Sequence, residues 1–307
     1  MSKKHYELDP ELQSLSYLRM PQNVFLIALS NLLVKFLYRL EKPKNGVVEK
    51  RLWIRTRDGN KIPVDFLKPS QKKSDSAMLY FPGGGYMMNG THLHKRTLMG
   101  IVEELGCVAF MVNYRLAPKW PFPTALYDAV DVYSYIVDHA SEFGINPKRL
   151  ILGGDSAGGN LSAGTALSLL DQGKNMPIAL MMIYPALVER MDTPSRQKFE
   201  DTPMLNTPLL TFISKHYYRN GVDELHDYAF PESHPRLDEL PPMFIEVAEL
   251  DPLHDDGTIF ASKCKALGND VTLREVMHAP HGFDAMTKSR TVQESLLARK
   301  SFLSRFL

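Results

Sequence analysis

Residues 150–160 read Leu150-Ile151-Leu152-Gly153-Gly154-Asp155-Ser156-Ala157-Gly158-Gly159-Asn160. A short apolar run of strand character enters G-x-S-x-G, and a helical pattern follows over Ala157 to Leu170. Glycines at these positions permit a sharp strand-to-helix turn that lifts Ser156 above a sheet, its hydroxyl exposed at the start of the next helix. A glycine-rich turn that merely joins the two elements is the plain alternative. The strand before and the helix after favour a nucleophile.

Outward from this turn the chain alternates apolar runs with helical patterns. Strands are expected at Ala77 to Phe81, Val108 to Asn113, Leu150 to Leu152, Ala179 to Tyr184, Met243 to Val247 and Val271 to Val276. Helices are expected at His94 to Leu105, Thr124 to His139, Ala157 to Leu170 and Gly257 to Leu267. Upstream, Arg51 to Thr56 and Ile62 to Leu67 alternate around Arg57-Asp58-Gly59-Asn60, which suits an antiparallel hairpin. The fold class is therefore α/β, with about eight mostly parallel strands flanked by helices. Residues 1–45 read as one or two apolar helices ending at the break Lys42 to Gly46. Between Pro185 and Pro242 the rhythm fails, leaving a polar, proline-rich segment with one helix, Pro208 to Tyr218. The expected organisation is N-terminal cap helices (1–45), a core (46–185 and 243–307) and a cap insertion (186–242) over the carboxyl edge of the sheet.

A serine hydroxyl is a weak nucleophile at neutral pH and needs a base, which in turn needs a group to orient it. In a strand-turn-helix arrangement of this type the order is serine, acid, histidine. Of ten histidines, His254, His278 and His281 fall late in the chain near a strand end. His281, in Ala279-Pro280-His281-Gly282-Phe283, is the expected base, and His278 reads as solvated. Asp251 leaves the strand Met243 to Val247 in Glu249-Leu250-Asp251-Pro252-Leu253 and is the expected acid. Asp255 and Asp256 have another explanation as carboxylates at a helix start. Phe81-Pro82-Gly83-Gly84-Gly85-Tyr86 follows a strand directly, and its glycines let backbone N–H groups approach a developing oxyanion. Gly83 and Gly84 are the expected donors, supported by Gly85 and completed by the N–H of Ala157.

Whole-chain properties narrow the partners. The 307 residues are 44% hydrophobic, 23% charged and 10% aromatic, a globular composition, and the formal charge is +1. Nothing in that balance recommends nucleic acid, and a small neutral ligand fits better. Two cysteines, Cys107 and Cys264, do not form a disulfide framework, and Met1 to Met20 lacks an apolar secretory core, so a cytoplasmic location is expected. Val24 to Leu40 is strongly apolar but interrupted by Ser30, Asn31 and Lys35, and short for a membrane span. Around Phe25 to Leu37 this helix would close the cap, touch a lipid surface or bury against a second copy in a homodimer. No metal or cofactor is expected.

With these residues in place the chain resembles the hormone-sensitive-lipase-like family of α/β-hydrolase esterases, whose members carry an HGGG oxyanion loop and a GDSAGG nucleophile motif. The likeness rests on Gly154 to Gly159, Gly83 to Gly85, Asn113 to Pro118 (NYRLAP), Pro121 to Pro123 (PFP), Asp251 to Leu253 (DPL) and His281 to Phe283 (HGF), and covers residues 77–307. It implies a helical cap and short- to medium-chain acyl esters as substrates, hydrolysed through Ser156, His281 and Asp251. Two positions depart from the family. Pro82 replaces the histidine of HGGG and offers neither imidazole nor N–H, and Lys119 stands where a glutamate usually continues NYRLAP, a change read as swapping a surface ion pair. Tyr86, Met87, Met88 and Tyr184 are expected to line the substrate pocket, although methionines and aromatics are more often core. Two other functions compete with the esterase: a ligand-binding protein that has lost turnover, motivated by Pro82, and amide or formamide hydrolysis or acyl transfer with the same residues. Epoxide and haloalkane hydrolases place aspartate at the nucleophile turn and are disfavoured.

Overall fold

The computed structural model describes residues 6–43 and 46–307. The expected break at Lys42 to Gly46 lies partly outside the described residues, as does the start of the N-terminal segment. The strands are β1 (Val47–Arg55), β2 (Lys61–Pro69), β3 (Ala77–Phe81), β4 (Val108–Val112), β5 (Leu150–Asp155), β6 (Ala179–Ile183), β7 (Met243–Leu250) and β8 (Val271–Pro280). The α-helices are α1 (Val24–Leu40), α2 (His92–Leu105), α3 (Thr124–Asp138), α4 (Ala140–Phe143), α5 (Ala157–Asp171), α6 (Pro194–Lys198), α7 (Thr207–Tyr217), α8 (His226–Ala229), α9 (His254–Ala266) and α10 (Arg290–Leu303).

One eight-stranded sheet forms in the order β1-β2-β4-β3-β5-β6-β7-β8. β2 runs antiparallel to both β1 and β4, and the remaining pairings are parallel. Every residue of β3, β4, β5 and β6 is buried, because parallel strands are covered by helices on both faces and have no solvent side to alternate with. Side chains of α3, α5 and α9 pack into one core layer and those of α2 and α10 into the other. β8 extends four residues past its expected end at Val276, beyond an irregularity between Ala248 and Leu250 in β7, so that His281 follows the strand directly.

The β3–β5–α5 junction is unusually close. A Cβ on Gly158 would lie 1.8 Å from the Phe81 carbonyl oxygen, so only glycine fits there. This approach sets the serine turn against the loop that follows β3.

Segment 186–242 contains more helix than the single element expected of it. Besides α7 it forms α6, α8 and three 3-10 turns, pieces too short and polar to carry a helical period. It is tied to the core through Asn160, whose side-chain amide donates to the carbonyls of Ala186 and Ala229. Asp255 and Asp256 sit in the first turn of α9, as a helix-start role requires, and they also tether this segment. Asp255 accepts from the Ser195 N–H at 2.8 Å. Asp256, fully buried, accepts from the N–H groups of Leu187 and Val188 and from Arg196.

α1 docks through Ile27 and Tyr38 and presents Phe25, Leu29, Leu32, Leu33, Phe36 and Leu40 to solvent. No helix among the described residues is long and apolar enough to cross a membrane. Cys107 and Cys264 are buried and unpaired. Lys119 is exposed, with its ammonium over the Trp120 ring and no ion-pair partner among the described residues.

Candidate active site

Ser156 sits between β5 and α5 with φ 55° and ψ −120°, in the positive-φ region that favours glycine. Such a backbone costs about 1–3 kcal/mol and persists only when its surroundings dictate it. Here the Ser156 N–H is held by the Ile183 carbonyl at 2.8 Å, and the close glycine contacts fix the rest of the turn.

The loop after β8 brings His281 to this serine, with Nε2 3.0 Å from Ser156 Oγ. On the other side of the ring, Nδ1 is 2.6 Å from Asp251 Oδ2. Asp251 is wholly buried, and its second oxygen accepts the Leu253 N–H at 2.8 Å. A carboxylate can only accept, so Nδ1 carries the proton toward Asp251 and leaves Nε2 as acceptor for the serine hydroxyl. The Tyr184 ring packs on His281 at a centroid distance of 4.6 Å. Its hydroxyl donates to Asp284 at 2.8 Å, and the half-buried Asp284 pairs with the buried Arg299, which also pairs with Glu246. Burial, with Asp284 alongside, pushes the Tyr184 phenol well up and keeps it neutral.

The other candidates are placed elsewhere. His254 bridges Asp255 and Glu275. His278 is exposed, as its solvated reading requires, and touches the Glu7 carbonyl.

The glycine loop corrects one expectation. The Gly83 N–H, expected as an oxyanion donor, donates to Asp155 Oδ1 at 3.0 Å. Among the described residues the N–H groups of Gly84, Gly85 and Ala157 have no hydrogen-bond acceptor. The cause lies in Asp155, which also accepts from the Tyr80 hydroxyl at 2.7 Å and meets His94 Nε2 at 3.1 Å. Burial alone would raise the Asp155 carboxyl; His94, Tyr80 and the Gly83 N–H outweigh it and bring it down to about 2. Asp155 was legible only as part of the turn, and His94 only as the start of a helix. Pro82 is fixed by its carbonyl, which accepts the Tyr114 hydroxyl at 2.6 Å.

Above Ser156 opens a cleft of about 370 Å³, within the range of small-molecule sites. Tyr86, Met87, Met88 and Tyr184 all border it. Tyr86 is itself stacked on Tyr217 with ring centroids 3.7 Å apart. Ile27 from α1 and Leu209 and Ile213 from α7 complete an apolar wall. Asn31 of α1 ties down the loop after the glycines, donating to the Met87 carbonyl and accepting the Asn89 N–H, both at 2.9 Å. Among the described residues no cluster of His, Cys, Asp and Glu could hold a metal ion.

Comparison with known proteins places the chain among α/β hydrolases. A family model described as an alpha/beta hydrolase fold matches residues 78–285. The chain is 32% identical over 239 residues to an ethyl acetate hydrolase of Pseudomonas putida, covering 76% of this chain and 75% of that one. It is 30% identical over 256 residues to carboxylesterase NlhH of Mycobacterium tuberculosis, covering 80% of each. Among solved structures, a bacterial heroin esterase superposes over 98% of both chains with a TM-score of 0.89 at 28% identity. The chain belongs to the α/β-hydrolase fold family, in the hormone-sensitive-lipase-like branch that its motifs resemble.

Proposed function

We propose that this protein is a serine carboxylesterase that hydrolyses short- to medium-chain acyl esters. One observation carries the reading: the unbroken Ser156–His281–Asp251 chain, with contacts of 3.0 and 2.6 Å, at the floor of an apolar cleft. Ser156 Oγ attacks the ester carbonyl carbon as His281 Nε2 takes its proton, and Asp251 stabilises the imidazolium. The carbonyl oxygen becomes an oxyanion that accepts from the N–H groups of Gly84, Gly85 and Ala157. Collapse expels the alcohol, which takes the proton from His281. A water activated by His281 then attacks the acyl-enzyme and releases the acid and free Ser156.

Residues 1–45 and 186–242 act as the cap, with Tyr86, Met88 and Tyr184 shaping the bound ester. The relatives named as esterases support ester over amide chemistry. Two buried, unpaired cysteines suit the cytoplasm. The apolar outer face of α1 is the surface through which two copies would pair.

Purified protein is expected to hydrolyse p-nitrophenyl acetate and butyrate, with Ser156→Ala reduced to background. Equal rates in the two proteins would end the reading. A matched ester and amide then separate esterase from amidase or formamidase, and product analysis in added alcohol detects acyl transfer.

A further inference from the structure

The first glycine of the oxyanion loop spends its N–H on a carboxylate, and that carboxylate is held from outside the loop. His94 is the third residue of α2, where the helix cap fixes its ring. Nδ1 receives the Thr91 backbone N–H at 2.9 Å, while Thr91 Oγ1 accepts the His94 N–H in return, a reciprocal cap. A backbone N–H can only donate, so Nδ1 is the acceptor and the ring proton resides on Nε2. Nε2 points at Asp155 Oδ2, 3.1 Å away. The opposite oxygen, Oδ1, accepts from Tyr80 and Gly83. The fit is close, since a Cβ on Gly83 would meet Asp155 Oδ2 at 2.2 Å. Pro82, immediately before Gly83, offers no imidazole and no N–H of its own.

The geometry assigns to His94 the role of positioning residue for the oxyanion site: through Asp155 it fixes Gly83, and so the aim of the Gly84 and Gly85 N–H groups. The imidazole is supplied by a helix rather than by the loop itself. This role rests on the esterase reading, because aim matters only if an oxyanion forms. His94 borders the cleft, but both its ring nitrogens are engaged, by the Thr91 N–H and by Asp155. Its loss should weaken transition-state stabilisation while leaving ground-state binding nearly intact.

Two substitutions separate positioning from helix capping. In His94→Asn the amide oxygen can take the place of Nδ1 and keep the Thr91 contact, but the side chain is too short to reach Asp155. In His94→Gln the amide nitrogen occupies the place of Nε2 and restores the donor. With p-nitrophenyl butyrate, His94→Asn is expected to lower kcat about 10- to 100-fold, up to the loss of one oxyanion donor, with KM within about threefold. The Ki of a trifluoromethyl ketone, which Ser156 converts to a hemiketal oxyanion, should rise by the same factor. His94→Gln should bring both to within about fivefold of wild type.

A folded His94→Asn with wild-type kcat and Ki, or Asn and Gln variants equally impaired, would overturn the assignment. Should His94→Asn not fold, isotope-labelled histidine in the wild-type protein reads the ring directly by NMR. An Nε2–H tautomer whose resonance moves on hemiketal formation supports the role; an Nδ1–H tautomer, or an unmoved resonance, refutes it. A wild-type protein that neither cleaves the ester nor reacts with a fluorophosphonate at Ser156 ends the esterase reading itself, whereas an active wild type with an indifferent His94 ends only this one.

Discussion

Asp251 divides its carboxylate between two partners, Oδ2 facing His281 Nδ1 at 2.6 Å and Oδ1 accepting the Leu253 N–H at 2.8 Å. In Asp251→Asn the Leu253 N–H claims the amide oxygen and turns the NH₂ group toward His281. Nδ1 must then accept, the proton moves to Nε2, and the ring can no longer take a proton from Ser156. We expect kcat to fall about 10⁴-fold, as a wrong-tautomer base does in serine hydrolases, with the fold retained. A loss below about tenfold would show that Asp251 does not set the tautomer.

The contact between α5 and β3 predicts a stability effect separable from chemistry. Gly158→Ala would place its Cβ 1.8 Å from the Phe81 carbonyl oxygen, a backbone atom that cannot rotate away. The variant should lose about 3 kcal/mol or more in urea denaturation, at the upper end of overpacking costs. A change under about 1 kcal/mol would mean that the junction relaxes easily.

Asp155 makes acid stability specific to one residue. Its folded carboxyl lies at about 2, below the value near 3.9 expected when unfolded. A depressed pKa gives stability that is fully present above the unfolded value and is lost as pH falls through the folded one. From about pH 5 to about pH 2 the wild type should therefore lose about 2 kcal/mol more than Asp155→Asn. Urea midpoints at the two pH values test this, and parallel losses in both proteins would count against it.

The tether between the 186–242 segment and the core rests on a buried ion pair. Arg196 donates to Asp256 at 2.8 Å, and both are buried. Burial already raises the Asp256 carboxyl to about 7, so in Arg196→Met it takes up a proton and loses its charge-assisted bond, and stability should fall by about 1.5–3 kcal/mol. Because the loosened segment carries part of the cleft wall, KM for p-nitrophenyl butyrate should rise more than kcat falls. Unchanged KM in a destabilised variant would uncouple the tether from the cleft.

The sequence by itself determined the sheet, the serine turn and the residues that meet there. Strand and helix periods repeat within a few residues, and Ser156, Asp251 and His281 each follow an apolar strand directly. A residue at a strand end is carried to the same edge of the sheet as every other, so position along the chain was sufficient to gather them. The helices of 186–242 were harder to read because α6 and α8 are only five and four residues long, too short for a period to show. Which glycine N–H faces an oxyanion was decided only by tertiary structure. Gly83 is withdrawn by a carboxylate 72 positions away, and that carboxylate is held by a histidine 61 positions from it. A hydrogen bond is directional and short, and no local pattern specifies which of three adjacent glycines will meet Asp155; only the packing of α2 and β5 around β3 does.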